Sequence, residues 1–176
     1  GMSKHFVTRS RALTAAAASL AVAALLAVSG CATTDRTYVP DSPSIPRTSR
    51  AFGGAPGDFH FIVLGDRTGG LRPGVFEQAL KIGEQLRPDF IINIGDLIEG
   101  NTEDRARLEA EWTDVNASIA ATDVPFFYVP GNHDLTNETM RTEWRKRLGA
   151  DYYSFVYRGV LFLALNTEDP PQPEIA

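Results

Sequence analysis

Three short apolar runs in the central part of the chain each end in a glycine turn that carries polar side chains. The first two runs end at Asp66 and Asp96, and the third ends in Pro-Gly-Asn-His-Asp at residues 130–134. Apolar residues at helical spacing follow each of the three runs. Strands that alternate with helices in this way predict βαβ units, and therefore an α/β fold built on a mostly parallel, covered sheet.

Proline, polar and glycine residues indicate where the predicted helices begin and end. Pro73 is expected to open the first helix, and Asn101 or Thr102 to cap the second. Gly149 is placed to end a third helix. After that helix, residues 152–166 form two apolar stretches with a turn between them, which predicts a C-terminal hairpin.

The polar residues at the strand ends are expected to meet. The carboxyl ends of successive parallel strands lie along one edge of a sheet, and ligands of open α/β sheets bind at that edge. Asp66, Asp96, Asn132 and His133 should therefore lie close together. Such a set without a thiolate suits hard or borderline divalent ions such as Mn, Fe or Zn. Turn or capping aspartates and a loop hydrogen-bond network are the alternatives for these residues.

The first thirty residues have the layout of a secretory signal. Lys4, Arg9 and Arg11 precede an uncharged, alanine-rich run at residues 12–28, and small residues follow it. The run is short for a membrane-spanning helix, and its alanine content makes it only weakly hydrophobic. We therefore interpret residues 1–30 as a signal peptide rather than as a permanent membrane helix.

The end of this segment resembles the lipobox of bacterial lipoproteins. Val-Ser-Gly-Cys occupies residues 28–31, and Cys31 is the only cysteine of the chain. The resemblance implies that Cys31 is lipidated and becomes the N-terminus of a membrane-anchored protein. Ala32 resembles the sorting pattern for the outer membrane, so we expect a cell-envelope protein that faces the periplasm. A cysteine placed there by chance is the alternative.

Composition separates a linker from the domain. Residues 31–57 are rich in proline, serine and threonine, and we expect an extended, mobile tether there, with the domain at residues 58–176. The chain has a formal net charge of −5 at pH 7, and the signal segment contains only basic charges. The remaining domain is more acidic still, which argues against binding to a nucleic-acid backbone.

The order of the strand-end blocks resembles that of the calcineurin-like metallophosphoesterase superfamily. Its signature is Asp-x-His, Gly-Asp, Gly-Asn-His-Asp/Glu, a lone His and finally Gly-His-x-His. The resemblance implies the first part of an α/β/β/α sandwich that hydrolyses phosphoesters with a hydroxide activated by two metal ions. It further implies that Asp66 binds the first ion, that Asp96 bridges both ions and that Asn132 binds the second.

Other roles implied by the resemblance concern the substrate. His133 would contact the phosphate or protonate the leaving oxygen, and Asp134 would orient the His133 ring. Asn132 would also lie against the bound phosphoester. Arg67 is a candidate for binding the substrate phosphate, with a structural salt bridge as the equal alternative.

Two departures from the signature leave a second function open. Thr68 stands where the family usually has a histidine ligand, and His5, His60 and His133 are the only histidines. His60 is expected to be a packed or edge residue. None of the three histidines can supply the lone His or the Gly-His-x-His pair, so we interpret the sequence as part of a longer protein. The alternative function is a non-catalytic lipoprotein scaffold with a degenerate metal site. A dinucleotide-binding domain is a third alternative, but the sequence lacks its fingerprint.

Overall fold

The computed structural model of the chain describes residues 36–40, 45–53 and 57–168. The predicted signal peptide and Cys31 lie outside the described residues. Within those ranges, no helix is both long enough and apolar enough to cross a membrane.

A parallel sheet with the predicted βαβ connections forms the centre of the fold. Its strands are β1 (Phe61–Leu64), β2 (Phe90–Asn93) and β3 (Phe126–Phe127), in the order β1-β2-β3. Helix α1 (Val75–Gln85) connects β1 to β2, and helix α2 (Arg105–Ala120) connects β2 to β3. The predicted α/β architecture is therefore confirmed.

The C-terminal part of the described chain adds one helix and one hairpin. Helix α3 (Glu138–Arg147) is followed by β4 (Tyr153–Tyr157) and β5 (Val160–Ala164), which pair antiparallel. The turn between the strands has positive φ angles at Arg158 (47°) and Gly159 (79°). Two successive positive φ angles define the type I′ turn that best fits the twist of a two-residue hairpin.

The helix ends differ from expectation at two of three places. Helix α1 begins at Val75, and Pro73 lies in the turn before it. Helix α2 is capped by Asp104, whose side chain accepts from the backbone N–H groups of the first turn, so the cap expected at Asn101 or Thr102 is wrong. The Thr102 hydroxyl instead accepts a 3.1 Å hydrogen bond from the backbone N–H of Asp104, the capping residue itself.

Helix α3 ends as predicted. Asn137 caps its first turn through a 3.0 Å bond from the Met140 N–H. Gly149 follows the last turn with φ 91°, and its N–H donates to the Arg145 carbonyl at 3.2 Å. Glycine is favoured there because this backbone conformation is strained for residues with a Cβ.

Two apolar clusters cover the two faces of the parallel sheet. On one face, Ile91 of β2 packs with the buried residues of the three helices, among them Trp112 and Trp144. On the other face, Phe90 packs against the inner face of the hairpin through Phe155. Neighbouring residues of a strand point to opposite faces, so β2 contributes to both clusters. The helices lie on one side of the sheet and the β4–β5 hairpin on the other.

The described part of the predicted linker packs on the domain. Ile45 is 1% exposed, and the Tyr128 N–H donates to the Pro46 carbonyl at 2.9 Å. Farther upstream, Tyr38 forms an antiparallel bridge with Val156 of β4. These segments are therefore not a free tether, because the edges of β3 and β4 offer backbone groups that they pair with.

Candidate functional site

The two aspartates at the strand ends share an unusual backbone conformation. Asp66 follows β1 with φ 48°, and Asp96 follows β2 with φ 56°. Positive φ is uncommon for residues other than glycine, although aspartate and asparagine tolerate it best. Both side chains line one cleft of about 430 Å³, which Asn132 also lines. The structure thus brings together the three residues that the sequence proposed as metal ligands.

Two glycines allow the loops after β2 and β3 to touch. A Cβ on Gly95 would lie 2.6 Å from the Gly131 Cα, and a Cβ on Gly131 would lie 2.6 Å from the Asp96 N. No side chain larger than hydrogen fits at such a contact between backbones. The contact places the His133 N–H 3.0 Å from Asp96 Oδ1, to which it donates.

Asp134 holds the same two loops from beneath. It is 1% exposed, and its Oδ2 accepts from the N–H groups of Asp96 and Gly131, both at 2.9 Å. Its Oδ1 accepts from the Leu97 N–H at 3.0 Å and the Ile98 N–H at 3.2 Å. Burial raises the pKa of Asp134 to about 6, while the backbone donors oppose the rise. The four N–H donors favour the ionised carboxylate, which fixes four backbone groups.

The His133 ring is oriented by a carbonyl oxygen and not by Asp134. His133 Nδ1 lies 2.8 Å from the Glu99 carbonyl oxygen, which can only accept, so Nδ1 carries a proton. The hydrogen bond to this carbonyl raises the pKa of His133; burial opposes the rise, and the charge of Asp96 adds to it. His133 Nε2 faces the loop after β1, at 3.5 Å from the point where a Cβ on Gly69 would lie. The orienting role expected of Asp134 therefore belongs to Glu99.

The contact between residues 99–101 and His133 was hard to predict from the sequence. A Cβ on Gly100 would overlap the His133 carbonyl oxygen and lie 2.5 Å from the Met140 side chain. Gly100 and Asn101 have φ angles of 57° and 51°. A Gly-Asn pair directly after Glu99 was the only signal, since these two residue types tolerate positive φ.

Arg67 is a structural residue in this fold. Its side chain is 6% exposed and forms a salt bridge with Asp114 of α2. Its Nη1 donates to the Leu97 carbonyl at 3.1 Å, and its guanidinium carbon lies 5.8 Å from the centre of the Phe76 ring. These contacts use the guanidinium to hold the loop after β1 against α1 and α2. Arg67 therefore makes the salt bridge of the structural alternative, and its binding of substrate phosphate stays a prediction.

Thr68 also joins the first two loops. It is 6% exposed, and its hydroxyl donates to the Ile98 carbonyl at 2.7 Å, with the Asp96 carbonyl at 3.0 Å. Its N–H donates to the same Asp96 carbonyl at 3.1 Å. The side chain at the position of the family's histidine therefore fixes the backbone around Asp96 and does not face the cleft as a ligand.

His60 lies away from this cleft, as expected for an edge histidine. It directly precedes β1, and its Nε2 lies 2.8 Å from the Leu86 carbonyl oxygen. The Asp89 N–H donates to the His60 carbonyl at the amino end of the sheet, opposite the edge that carries Asp66.

The residues at the cleft fit the oxygen-donor part of a metal site. Among the described residues, nothing donates a hydrogen bond to the Asp66 carboxylate, and the Asn132 side chain has no such partner either. Asp96 Oδ1 accepts from the His133 N–H, and the other carboxylate oxygen of Asp96 has no donor among the described residues. Hard divalent ions prefer such oxygens. No three His, Cys, Asp or Glu side chains of the described ranges cluster closely enough to hold an ion.

Comparison with known proteins matches this arrangement to one family. The family described as calcineurin-like phosphoesterase matches residues 56–169. The chain is 32% identical to the serine/threonine-protein phosphatase CPPED1 of Homo sapiens, over 64% of this chain and 43% of that protein. It is 37% identical to the CPPED1 protein of Danio rerio, over 48% of this chain and 28% of that one.

The chain spans less than half the length of these relatives. No solved structure matches it significantly. The family match covers more than half of the chain and includes all three strand-end loops with Asp66, Asp96 and Asn132. The chain therefore belongs to the calcineurin-like phosphoesterase family.

Proposed function

We propose that this protein is a metal-dependent phosphoester hydrolase whose reaction takes place at the carboxyl edge of β1, β2 and β3. One observation carries the proposal. Asp66, Asp96 and Asn132 line a single cleft, and the described residues give no hydrogen-bond donor to the Asp66 carboxylate, to the Asn132 side-chain oxygen or to one oxygen of Asp96. The backbone N–H of His133 donates to the other oxygen, Asp96 Oδ1. Family membership supports the reaction class.

Two divalent ions, of Mn, Fe or Zn, are the cofactors in this proposal. Asp66 would hold one ion, Asn132 the other, and Asp96 would lie between them. When bound, the ions neutralise charge on the phosphate oxygens and activate the attacking water. The close contact of Gly95 and Gly131 fixes how far apart Asp96 and Asn132 can be, and the four bonds to Asp134 keep that spacing rigid.

His133 acts on the substrate in this proposal. The proton on Nδ1 is held by the Glu99 carbonyl, so Nε2 is the nitrogen that can give a proton to the departing oxygen. The hydrogen bond to the Glu99 carbonyl raises the pKa of His133, which suits a group that donates a proton. Asn132 shares the cleft and would bind a phosphate oxygen together with its ion.

A non-catalytic binding scaffold is the second candidate, and Thr68 favours it. The Thr68 hydroxyl is committed to the Ile98 carbonyl, so this side chain does not replace the family's histidine ligand. A scaffold that keeps the sheet and loses one ion would show binding without turnover. Kinetics therefore separate the two candidates.

The test is hydrolysis of phenyl phosphate and 4-nitrophenyl phosphate by wild type and His133→Ala, with His60→Ala as a control histidine outside the cleft. His133→Ala should lower kcat for phenyl phosphate by about 10²–10⁴-fold, and less for the nitrophenyl ester, whose better leaving group needs less protonation. Its metal content should stay near wild type. Loss of metal in His133→Ala would refute the assigned role, and no hydrolysis by metal-loaded wild type would favour the scaffold.

The proposal also places the protein in the cell envelope. Cys31 carries the lipid, and the membrane is reached through this anchor from the periplasmic side of the outer membrane. The support is the sequence around Cys31 alone. Cys31→Ser should yield unprocessed or released protein in cell fractionation. A processed Cys31→Ser protein that still partitions with membranes would rule out the anchor.

A further inference from the structure

A second cavity adjoins the metal cleft at Asp66. It has a volume of about 280 Å³ and lies between the loop after β1 and helix α1. Asp66 lines both this cavity and the cleft that contains Asp96 and Asn132. Val75, Phe76 and Ala79 of α1 form an apolar part of the cavity wall, and the loop after β1 forms the more polar remainder. A group bonded to a phosphate in the cleft could extend into this cavity.

Arg72 contributes a positive charge to this cavity that no described residue neutralises. It lines the cavity, it is exposed, and its side chain makes no hydrogen bond or ion pair within the described ranges. Arg67, which also lines the cavity, differs because Asp114 already pairs with it. Arg72 is thus the available cation beside Asp66.

The backbone fixes Arg72 at the rim of the cavity. The Val75 N–H donates to the Arg72 carbonyl at 3.2 Å, and Gly74 has φ 79° and ψ −10°. Proline followed by a left-handed glycine within such a bond is the pattern of a type II turn. The turn directly precedes α1 and holds the Arg72 Cα in place. The long side chain still allows the guanidinium to adapt to a ligand.

We propose that this cavity binds the ester group of the substrate and that Arg72 recognises an anionic substituent on it. The preferred substrates are then phosphomonoesters of a compact, partly apolar alcohol that carries a carboxylate or a second phosphate. This inference rests on the proposed hydrolase activity. Apolar walls bind the body of the group, and the guanidinium binds the anion through charge-assisted hydrogen bonds.

Substrates that differ only in the substituent test this proposal. We would compare 4-methylphenyl phosphate with 4-carboxyphenyl phosphate and 1,4-phenylene bisphosphate, using wild type and Arg72→Gln. Lys81→Gln is the matched control, because Lys81 is an exposed cation of α1 that does not line this cavity. For each variant, the kcat/KM of an anionic ester is divided by that of 4-methylphenyl phosphate. Differences in leaving-group reactivity then cancel when the variants are compared.

Arg72→Gln should lower the kcat/KM ratio of an anionic ester to the 4-methylphenyl ester by about 2- to 5-fold, and the change should appear in KM. An ion pair made equally in the ground and transition states affects binding and not kcat. Arg72→Lys should restore part of the preference, and Lys81→Gln should keep the wild-type ratio. The ester with the larger loss identifies the anion that Arg72 prefers, carboxylate or phosphate.

Binding of non-hydrolysable analogues separates this inference from the activity itself. Benzylphosphonate and 4-carboxybenzylphosphonate would be titrated calorimetrically into metal-loaded protein. If wild type hydrolyses nothing but prefers the carboxylated analogue, and Arg72→Gln loses that preference, the subsite stands and the hydrolase proposal fails. If wild type hydrolyses the esters and Arg72→Gln keeps its ratios and analogue preference, the subsite is wrong and the hydrolase stands. Absence of both hydrolysis and analogue preference overturns both.

Discussion

Gly131→Ala is the substitution that most directly perturbs the contact between the loops after β2 and β3. The new Cβ would overlap Asp96 Oδ1, approach the Asp96 N to 2.6 Å and approach the Gly95 Cα to 2.9 Å. Ordinary contacts of this kind begin at 3.4 Å, so the loops must separate by about 0.8 Å at the Asp96 N. Gly131 itself does not have a positive φ, so the cost arises from space and not from backbone conformation.

The expected magnitude follows from that displacement. Inserting one methyl group into a tightly packed contact costs roughly 1–3 kcal/mol of folding free energy. A displacement of about 1 Å in a catalytic group costs about 10²-fold in rate. Gly131→Ala should therefore lower kcat/KM about 10²-fold and weaken metal binding, because Asp96 and Asn132 are moved apart, while most of the protein stays folded.

The assay is kcat/KM for 4-nitrophenyl phosphate together with metal content and thermal denaturation. Gly53→Ala is the control, since Gly53 has no positive φ and a Cβ there meets nothing within 4 Å. It should behave as wild type in every measurement. Wild-type activity and metal content in Gly131→Ala would show that the spacing of the two loops does not matter, and the reasoning would be refuted.

Two further substitutions test the residues beneath the cleft. Asp134→Ala leaves four backbone N–H groups without their acceptor. It should lower the free energy of unfolding in denaturant by more than about 3 kcal/mol and abolish metal binding. A loss below about 1 kcal/mol would show that these bonds do not organise the loops. Arg67→Met removes the salt bridge to Asp114 and should lower thermal stability while KM for phenyl phosphate stays near wild type. A raised KM with unchanged stability would instead restore a substrate role for Arg67.

The elements that depend on local sequence were predictable. The apolar runs, the periodic helices and the hairpin appear where the pattern predicts, because burial and turn geometry act over short stretches of chain. The sequence also predicts the edge of the sheet at which Asp66 and Asp96 meet, since parallel strands align their carboxyl ends. The cap of α2 was misplaced because Asn101, Thr102 and Asp104 are all good capping residues, and the loop's contacts decide among them.

The roles of single side chains depended on contacts that sequence spacing does not encode. Asp134 follows His133 directly, yet its carboxylate points to backbone N–H groups of the loop after β2. Arg67 follows Asp66, yet it pairs with Asp114, which is distant in sequence. Neighbouring residues on a tight turn point in different directions, so adjacency in sequence is weak evidence for a shared role.

Metal binding by Asp96→Asn is the most direct test of the central claim, which is that the three strand-end loops together form the metal site. Purified wild type and variant would be equilibrated with Mn²⁺, dialysed and analysed for bound metal per chain, with circular dichroism to verify folding. The amide keeps the shape of Asp96 and removes its charge, so Asp96→Asn should stay folded and retain much less metal than wild type. Equal metal content in a folded Asp96→Asn, or no metal in wild type, would contradict the account.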